Sequence, residues 1–212
     1  MKERSATTDL LREAAEWRLI SLLLECPKGD WKTEVSTLSK EVKDLELNNA
    51  AKCAQTQASE GLYHSIFGPG GPAPAREVSY RDWVQPGYLL SELTAFYDAF
   101  SYRPNLKETP DHIAVETGFV SFLKLKEAFA EERKDTENAA ITAEAVRDFI
   151  TAHLTKTTEK MAAILAHSQI EYLALAASAL FKRVGKDPDQ NIKRILPTLR
   201  EADSEIFECG GF

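Results

Sequence analysis

Apolar residues recur along this chain at three- and four-residue spacing, and no alternating run is long enough for a strand. Over residues 9–25, Leu10, Leu11, Ala14, Ala15, Ile20, Leu23 and Leu24 keep one helical face, with Thr7 or Thr8 placed to cap it. Pro27, Gly29 and Asp30 break that helix. Val35, Leu38, Val42 and Leu45 give a narrower stripe to a second helix over 31–45, and a third is expected over 48–67. The Gly- and Pro-rich run 68–74 is a loop. It lacks the Lys-Ser/Thr ending of a phosphate loop, and its prolines remove amides that such a loop needs. Pro86 stands where a first helical turn tolerates a missing N–H, and Leu89, Leu90, Leu93, Phe96, Tyr97 and Phe100 line that helix's apolar side.

Residues 101–107, with Pro104, form a hinge-like linker. The stretch 108–129 then carries the most explicit helix start in the chain. Thr109 precedes a proline and suits an N-cap, Pro110 falls at the first helical position, and Asp111 meets the positive end of the helix dipole. Ile113, Phe119, Val120, Phe122, Leu123 and Phe129 follow on a broad stripe, so Asp111, His112 and Glu116 stand at the mouth of a long buried helix. Residues 131–135 are a solvated break. Thr142 caps a segment with Val146, Phe149, Ile150 and Leu154, and Thr155, Thr157 and Thr158 weaken the helix before Met161, Ile164 and Leu165 resume it. Residues 170–184 read as a core helix ended by Gly185, with Pro188 beyond. A short amphipathic piece over 192–199 is interrupted by Pro197. The expected fold is all-α: one globular domain over 1–212 with about nine to eleven helices. Its N-terminal half covers about 9–100, the hinge 101–109, the C-terminal half 110–200 and a mobile tail 201–212.

Composition narrows the function. With 212 residues, 43% of them hydrophobic, the chain can bury a substantial core. A net charge of −7 argues against a nucleic-acid partner and is compatible with a basic one. Residues 1–9 are polar, with no uncharged apolar stretch after them, so no signal peptide is expected. No apolar run is long enough for stable membrane insertion. Cys26, Cys53 and Cys209 are far apart and match no zinc spacing, which suits a cytoplasmic protein with core thiols.

Asp111, His112 and Glu116 are the one candidate metal or acid/base cluster, with His112 and Glu116 a helical turn apart. Capping and dipole contacts account for them more simply. None of His64, His112, His153 or His167 has the preceding glutamate that a di-iron bundle uses. No nucleophilic triad has a local signature. No metal, cofactor or catalytic residue is therefore expected. The aromatic run Tyr80, Trp83, Tyr88, Phe96, Tyr97, Phe100 and Tyr102 exceeds what one helix buries, so part of it is expected to line a groove.

The pattern Glu-x-Pro-Asp-His-Ile-x-x-Glu-x-x-Phe at 108–119 resembles the signature of the TorD/DmsD/NarJ family of redox-enzyme maturation chaperones. Tyr63 to Phe67 resembles the family's Tyr-x-x-Leu-Phe segment. Ser79-Tyr80 matches a Ser-aromatic pair loosely, and His153-Leu154 matches a common His-Leu pair. Thr117 and Gly118 depart from the pattern, since a leucine commonly follows the glutamate. Gly118 weakens the helix by about 1 kcal/mol relative to Ala, or permits close backbone packing. The resemblance implies a cytoplasmic, all-helical protein that is not an enzyme. It would bind the twin-arginine leader or N-terminal segment of a molybdenum-cofactor oxidoreductase during maturation. It further implies apolar walls from Tyr80, Trp83, Tyr88, Leu89, Phe96 and Tyr97, closed by Pro110, Asp111, His112, Glu116 and Phe119. Asp111 and Glu116 are suitable acceptors for arginine. No Walker motif supports GTP binding. A homodimer formed by exchange of halves stays open, as does an alternative: a small metal-dependent enzyme built on Asp111, His112 and Glu116.

Overall fold

Short polar side chains decide where the helices begin. In the computed structural model, which describes residues 2–188, Asp44 accepts from the Glu46 and Leu47 amides at 2.8 and 3.0 Å and starts one helix. Ser59 accepts from the Leu62 amide at 3.2 Å and starts the next. These caps shorten the expected second helix and split the expected third. The elements are α1 (Lys2–Leu23), α2 (Trp31–Leu38), α3 (Leu45–Gln57), α4 (Glu60–Phe67), a 3-10 turn (Glu77–Tyr80), α5 (Pro86–Ala99), α6 (Ile113–Glu132), α7 (Thr136–Phe149), a π turn (Ile150–Leu154), α8 (Thr155–Ala166) and α9 (Glu171–Val184). The rod from α7 through the π turn to α8 is unbroken, so the described residues form eight separate helices, slightly fewer than expected. They contain no strand, as expected. Asp135, not Thr142, caps α7 through the Asn138 amide; the Thr142 hydroxyl donates within the helix to Asn138 O at 2.7 Å. The expected piece over 192–199 and the tail lie outside the described residues.

The principal packing is α1 on α6, followed by α6 on α7, α8 on α9 and α3 on α9. Much of it therefore joins the two expected halves. Small residues let α1 and α6 approach. Ser21 Oγ donates to Ala114 O and Ser121 Oγ to Ala14 O, each at 2.8 Å. A Cβ added at Gly118 would stand 2.8 Å from Tyr102 Oη and 3.3 Å from Ser21 Oγ, so the space at this departure from the family pattern is taken by side-chain hydroxyls and not by close backbone packing. Below the crossing, the Phe119 ring meets Phe149, Tyr97 and Tyr102 with centroids 4.8, 4.9 and 5.2 Å apart. Arg183 ties α9 to α1 and α3 by pairing with Glu16 and Asp44, both at 2.8 Å.

Candidate functional site

The helix start at the family-like motif lies further along than its sequence suggests. α6 begins at Ile113, and the N-cap is His112, not Thr109. His112 Nδ1 accepts from the Ala114 amide at 3.1 Å. The proton of the neutral ring is therefore on Nε2, which donates to Tyr63 Oη at 2.8 Å. Burial holds this imidazole below its ordinary pKa, against the opposing pull of Glu108 and Asp111. Asp111 lies one residue before the cap rather than in the first turn. It is fully buried, and both of its oxygens accept from Arg76 Nε, at 3.0 and 3.1 Å. The backbones of the two segments are also joined, Ile113 N to Ala75 O and Glu77 N to Asp111 O, each at 2.8 Å.

Behind this junction lies a network that the sequence reading missed. Glu77 is fully buried and accepts from Arg81 Nη1 at 2.7 Å, and its other oxygen lies 3.1 Å from His153 Nδ1. The π turn brings His153 there, and its ring packs near Phe96 and Phe149. Glu116 is also fully buried. Burial, with the Glu77 and Asp111 carboxylates beside it, raises its pKa well above the carboxylate range. Neither Glu116 oxygen has a partner in strict hydrogen-bonding geometry, yet the carboxyl lies near enough to Glu77 to share its proton. The sequence pointed to this network at Glu116 and at the His153-Leu154 pair, but not at Arg76, Glu77 and Arg81, which occupy a patternless connection.

The expected peptide-binding residues separate by burial. Leu89, Asp111, Glu116 and Phe119 have no exposed surface, and Tyr80, Tyr97 and His112 are buried. Phe96 and Pro110 are half-buried. Trp83 and Tyr88 face solvent. Tyr97 Oη donates to Pro110 O at 2.8 Å, which fastens α5 to the turn before α6.

Exposed apolar surface gathers on another face. Leu11, Leu125, Phe129 and Ile141 are 47%, 47%, 58% and 48% exposed. They line a groove of about 1050 Å³ formed by α1, the end of α5, the C-terminal half of α6 and α7, together with Phe100 and Phe122. Lys126 and Arg133 cover aromatic rings there: Arg133 lies 4.0 Å from the Phe129 centroid, and Lys126 Nζ lies 5.3 Å from that of Phe122. A second groove of about 820 Å³ shares Leu11, Phe122 and Leu125 with the first and continues between α1, α2 and the 101–109 linker. Glu25 lines it and is 8% exposed. Burial pushes its carboxyl up to about 7; Arg18 opposes this and Glu34 adds to it.

Cys26, Glu60 and His64 bring one ligand atom each within 4.8 Å of one another, although Lys28 already engages Glu60 at 3.1 Å. Asp111, His112 and Glu116 form no such group among the described residues. Both His112 ring nitrogens are already engaged, which removes the ligand set that the metal-enzyme alternative needs. No helix among the described residues is long and apolar enough to cross a membrane. No curated protein matches the chain. The family model described as nitrate reductase delta subunit matches residues 31–163, from the start of α2 into α8, and this span contains the Asp111–His112 junction and His153. The chain belongs to this nitrate reductase delta subunit family, whose members are maturation chaperones for molybdoenzymes and not catalytic enzymes.

Proposed function

We propose that the protein is a cytoplasmic chaperone that binds the twin-arginine leader, or another N-terminal segment, of a molybdenum-cofactor oxidoreductase catalytic subunit and holds it while the cofactor is inserted. The observation that carries this reading is the exposed apolar groove lined by Leu11, Leu125, Phe129 and Ile141. Contiguous apolar surface of this kind marks an interaction site, and a groove between helices suits an amphipathic or apolar segment. Each large apolar side chain the client buries there contributes roughly 1.5–3 kcal/mol, whereas an exposed ion pair contributes about 0–1 kcal/mol. Affinity should therefore come mainly from the client's apolar segment.

The motif corner supports this reading indirectly. Asp111, His112 and Glu116 hold the start of α6 and leave its other end to form the groove. Trp83 and Tyr88, the exposed members of the aromatic run, support a second location for the client. Isothermal titration with N-terminal segments of the cell's molybdenum oxidoreductases separates the two. Phe129→Ala with Ile141→Ser should abolish binding while helicity is kept. Unchanged binding there, with loss in Trp83→Ala/Tyr88→Ala, would move the site to the aromatic run.

A further inference from the structure

We propose that Cys26, Glu60 and His64 form a binding site for one divalent cation of the zinc class. The site lies between the turn after α1 and α4. It shares no residue with the apolar groove and does not depend on the docking reading.

Local structure sets two of the ligands. Ser59 caps α4 through the Leu62 amide at 3.2 Å, which makes Glu60 the first helical residue and places His64 one turn further on the same face. His64 Nε2 consequently stands 3.7 Å from Glu60 Oε1. The third ligand comes from a distant part of the chain. Trp31 Nε1 donates to Leu22 O at 2.7 Å and the Trp31 amide to Lys28 O at 3.2 Å, which folds the turn that carries Cys26. One ligand atom from each of Cys26, Glu60 and His64 then falls within 4.8 Å of the other two. Among the described residues, no other three histidine, cysteine or acidic side chains converge in this way.

A Glu–His pair one helical turn apart is by itself an ordinary surface contact of little worth. The thiol changes its meaning. Sulfur, imidazole and carboxylate together are a donor set that suits zinc, whereas calcium and magnesium take oxygen. At bond lengths of roughly 2.0–2.3 Å, the ligand atoms of a tetrahedral zinc stand about 3.3–3.6 Å apart. The Glu60–His64 spacing is already close to that. Both side chains are more than half exposed, 53% and 56%, so they can rotate to close on the sulfur.

Lys28 competes with the metal, with its Nζ 3.1 Å from Glu60 Oε1. That side chain is 61% exposed and can turn into water. Its ammonium also shows that the position attracts a cation. As the metal binds, the Cys26 proton passes to water and the Lys28 ammonium leaves Glu60. Three protein ligands leave the fourth corner of the tetrahedron to water or to a donor from outside the chain. The bound metal would pin the 24–30 turn to α4, whose Tyr63 meets His112 at 2.8 Å.

Cobalt(II), titrated into the full, untagged, reduced chain, tests this. A thiolate on cobalt gives a near-ultraviolet charge-transfer band, and a tetrahedral site gives strong visible absorption. The expected result is one cobalt per chain with both signals, which zinc displaces and erases. Cys26→Ser should remove the charge-transfer band, while a Cys53→Ser/Cys209→Ser chain should keep it. Glu60→Ala and His64→Ala should each weaken binding roughly tenfold or more. Zinc should also slow alkylation of Cys26 by iodoacetamide in the unaltered protein. Absence of a thiolate band in the unaltered protein overturns the proposal and needs no variant to fold. A band that survives Cys26→Ser, or an affinity unchanged in Glu60→Ala and His64→Ala, overturns it too.

Discussion

The two halves of α6 are built on opposite plans. In the first, every residue from 113 to 120 is buried, including Glu116 and Thr117. In the second, Leu125 and Phe129 are about half exposed. Polar groups lie inside at one end and apolar groups outside at the other, and both reversals carry information that ordinary burial does not. The first half is a fastening: a capped helix start, a salt bridge to Arg76 and a carboxyl pair beneath it. The second is an apolar surface that Lys126 and Arg133 cover in part, over the Phe122 and Phe129 rings. A family-like motif therefore need not touch the ligand. It can instead fix the geometry of a surface further along the same helix.

The comparison breaks most visibly in stability. Phe119→Ala, in the buried half, should cost about 3–5 kcal/mol in urea unfolding, with four aromatic neighbours losing their partner. Phe129→Ala, in the exposed half, should change stability by no more than about 0.5 kcal/mol. Equal costs would remove the distinction.

Glu25→Gln gives the next largest effect, and it depends on pH. The folded-state pKa of Glu25, about 7, lies above its ordinary 4.5. Its contribution is thus fully present below about pH 4.5 and is lost as pH rises to about 7. Relative to the unaltered protein, Glu25→Gln should gain up to roughly 3 kcal/mol between those limits. A difference that stays flat across this range would show that Glu25 is well solvated. His112 has the opposite sign: its depressed folded-state pKa makes stability fall as pH drops below the ordinary histidine range.

Asp111→Ala should cost roughly 1–3 kcal/mol, since it leaves the junction with Arg76 unmade but Arg76 itself can reach water. A loss of only ~0.3–1 kcal/mol would mean that Asp111 acts as a dipole contact alone.

Much of the fold was legible because periodicity reports burial. The core helices α1, α5, α6 and α9 were all expected near their observed places, and Pro86 opens α5 as its position suggests. Boundaries failed where a cap competes with a continuing apolar stripe: Asp44 and Ser59 start helices inside stretches that looked uniform, while Asp135 starts α7 at the end of the expected break, seven residues before the expected cap at Thr142. The motif was visible, but its environment was not. Pairing Asp111 with Arg76 and His153 with Glu77 depends on chain reversals across 35 and 76 residues. The groove was invisible for a related reason. Leu125 and Phe129 resemble core residues in any periodic pattern, and only the placement of α1, α5 and α7 leaves them uncovered.

The central claim is that a client segment lies along the C-terminal half of α6 and not against the aromatic run. Hydrogen–deuterium exchange of the full chain, with and without a bound N-terminal segment of a molybdenum oxidoreductase, tests it most directly. The account predicts new protection in the N-terminal turns of α1, the second half of α6 and the start of α7, with residues 83–90 unchanged. Protection centred on Trp83 and Tyr88, with the α6–α7 face unaffected, would contradict it.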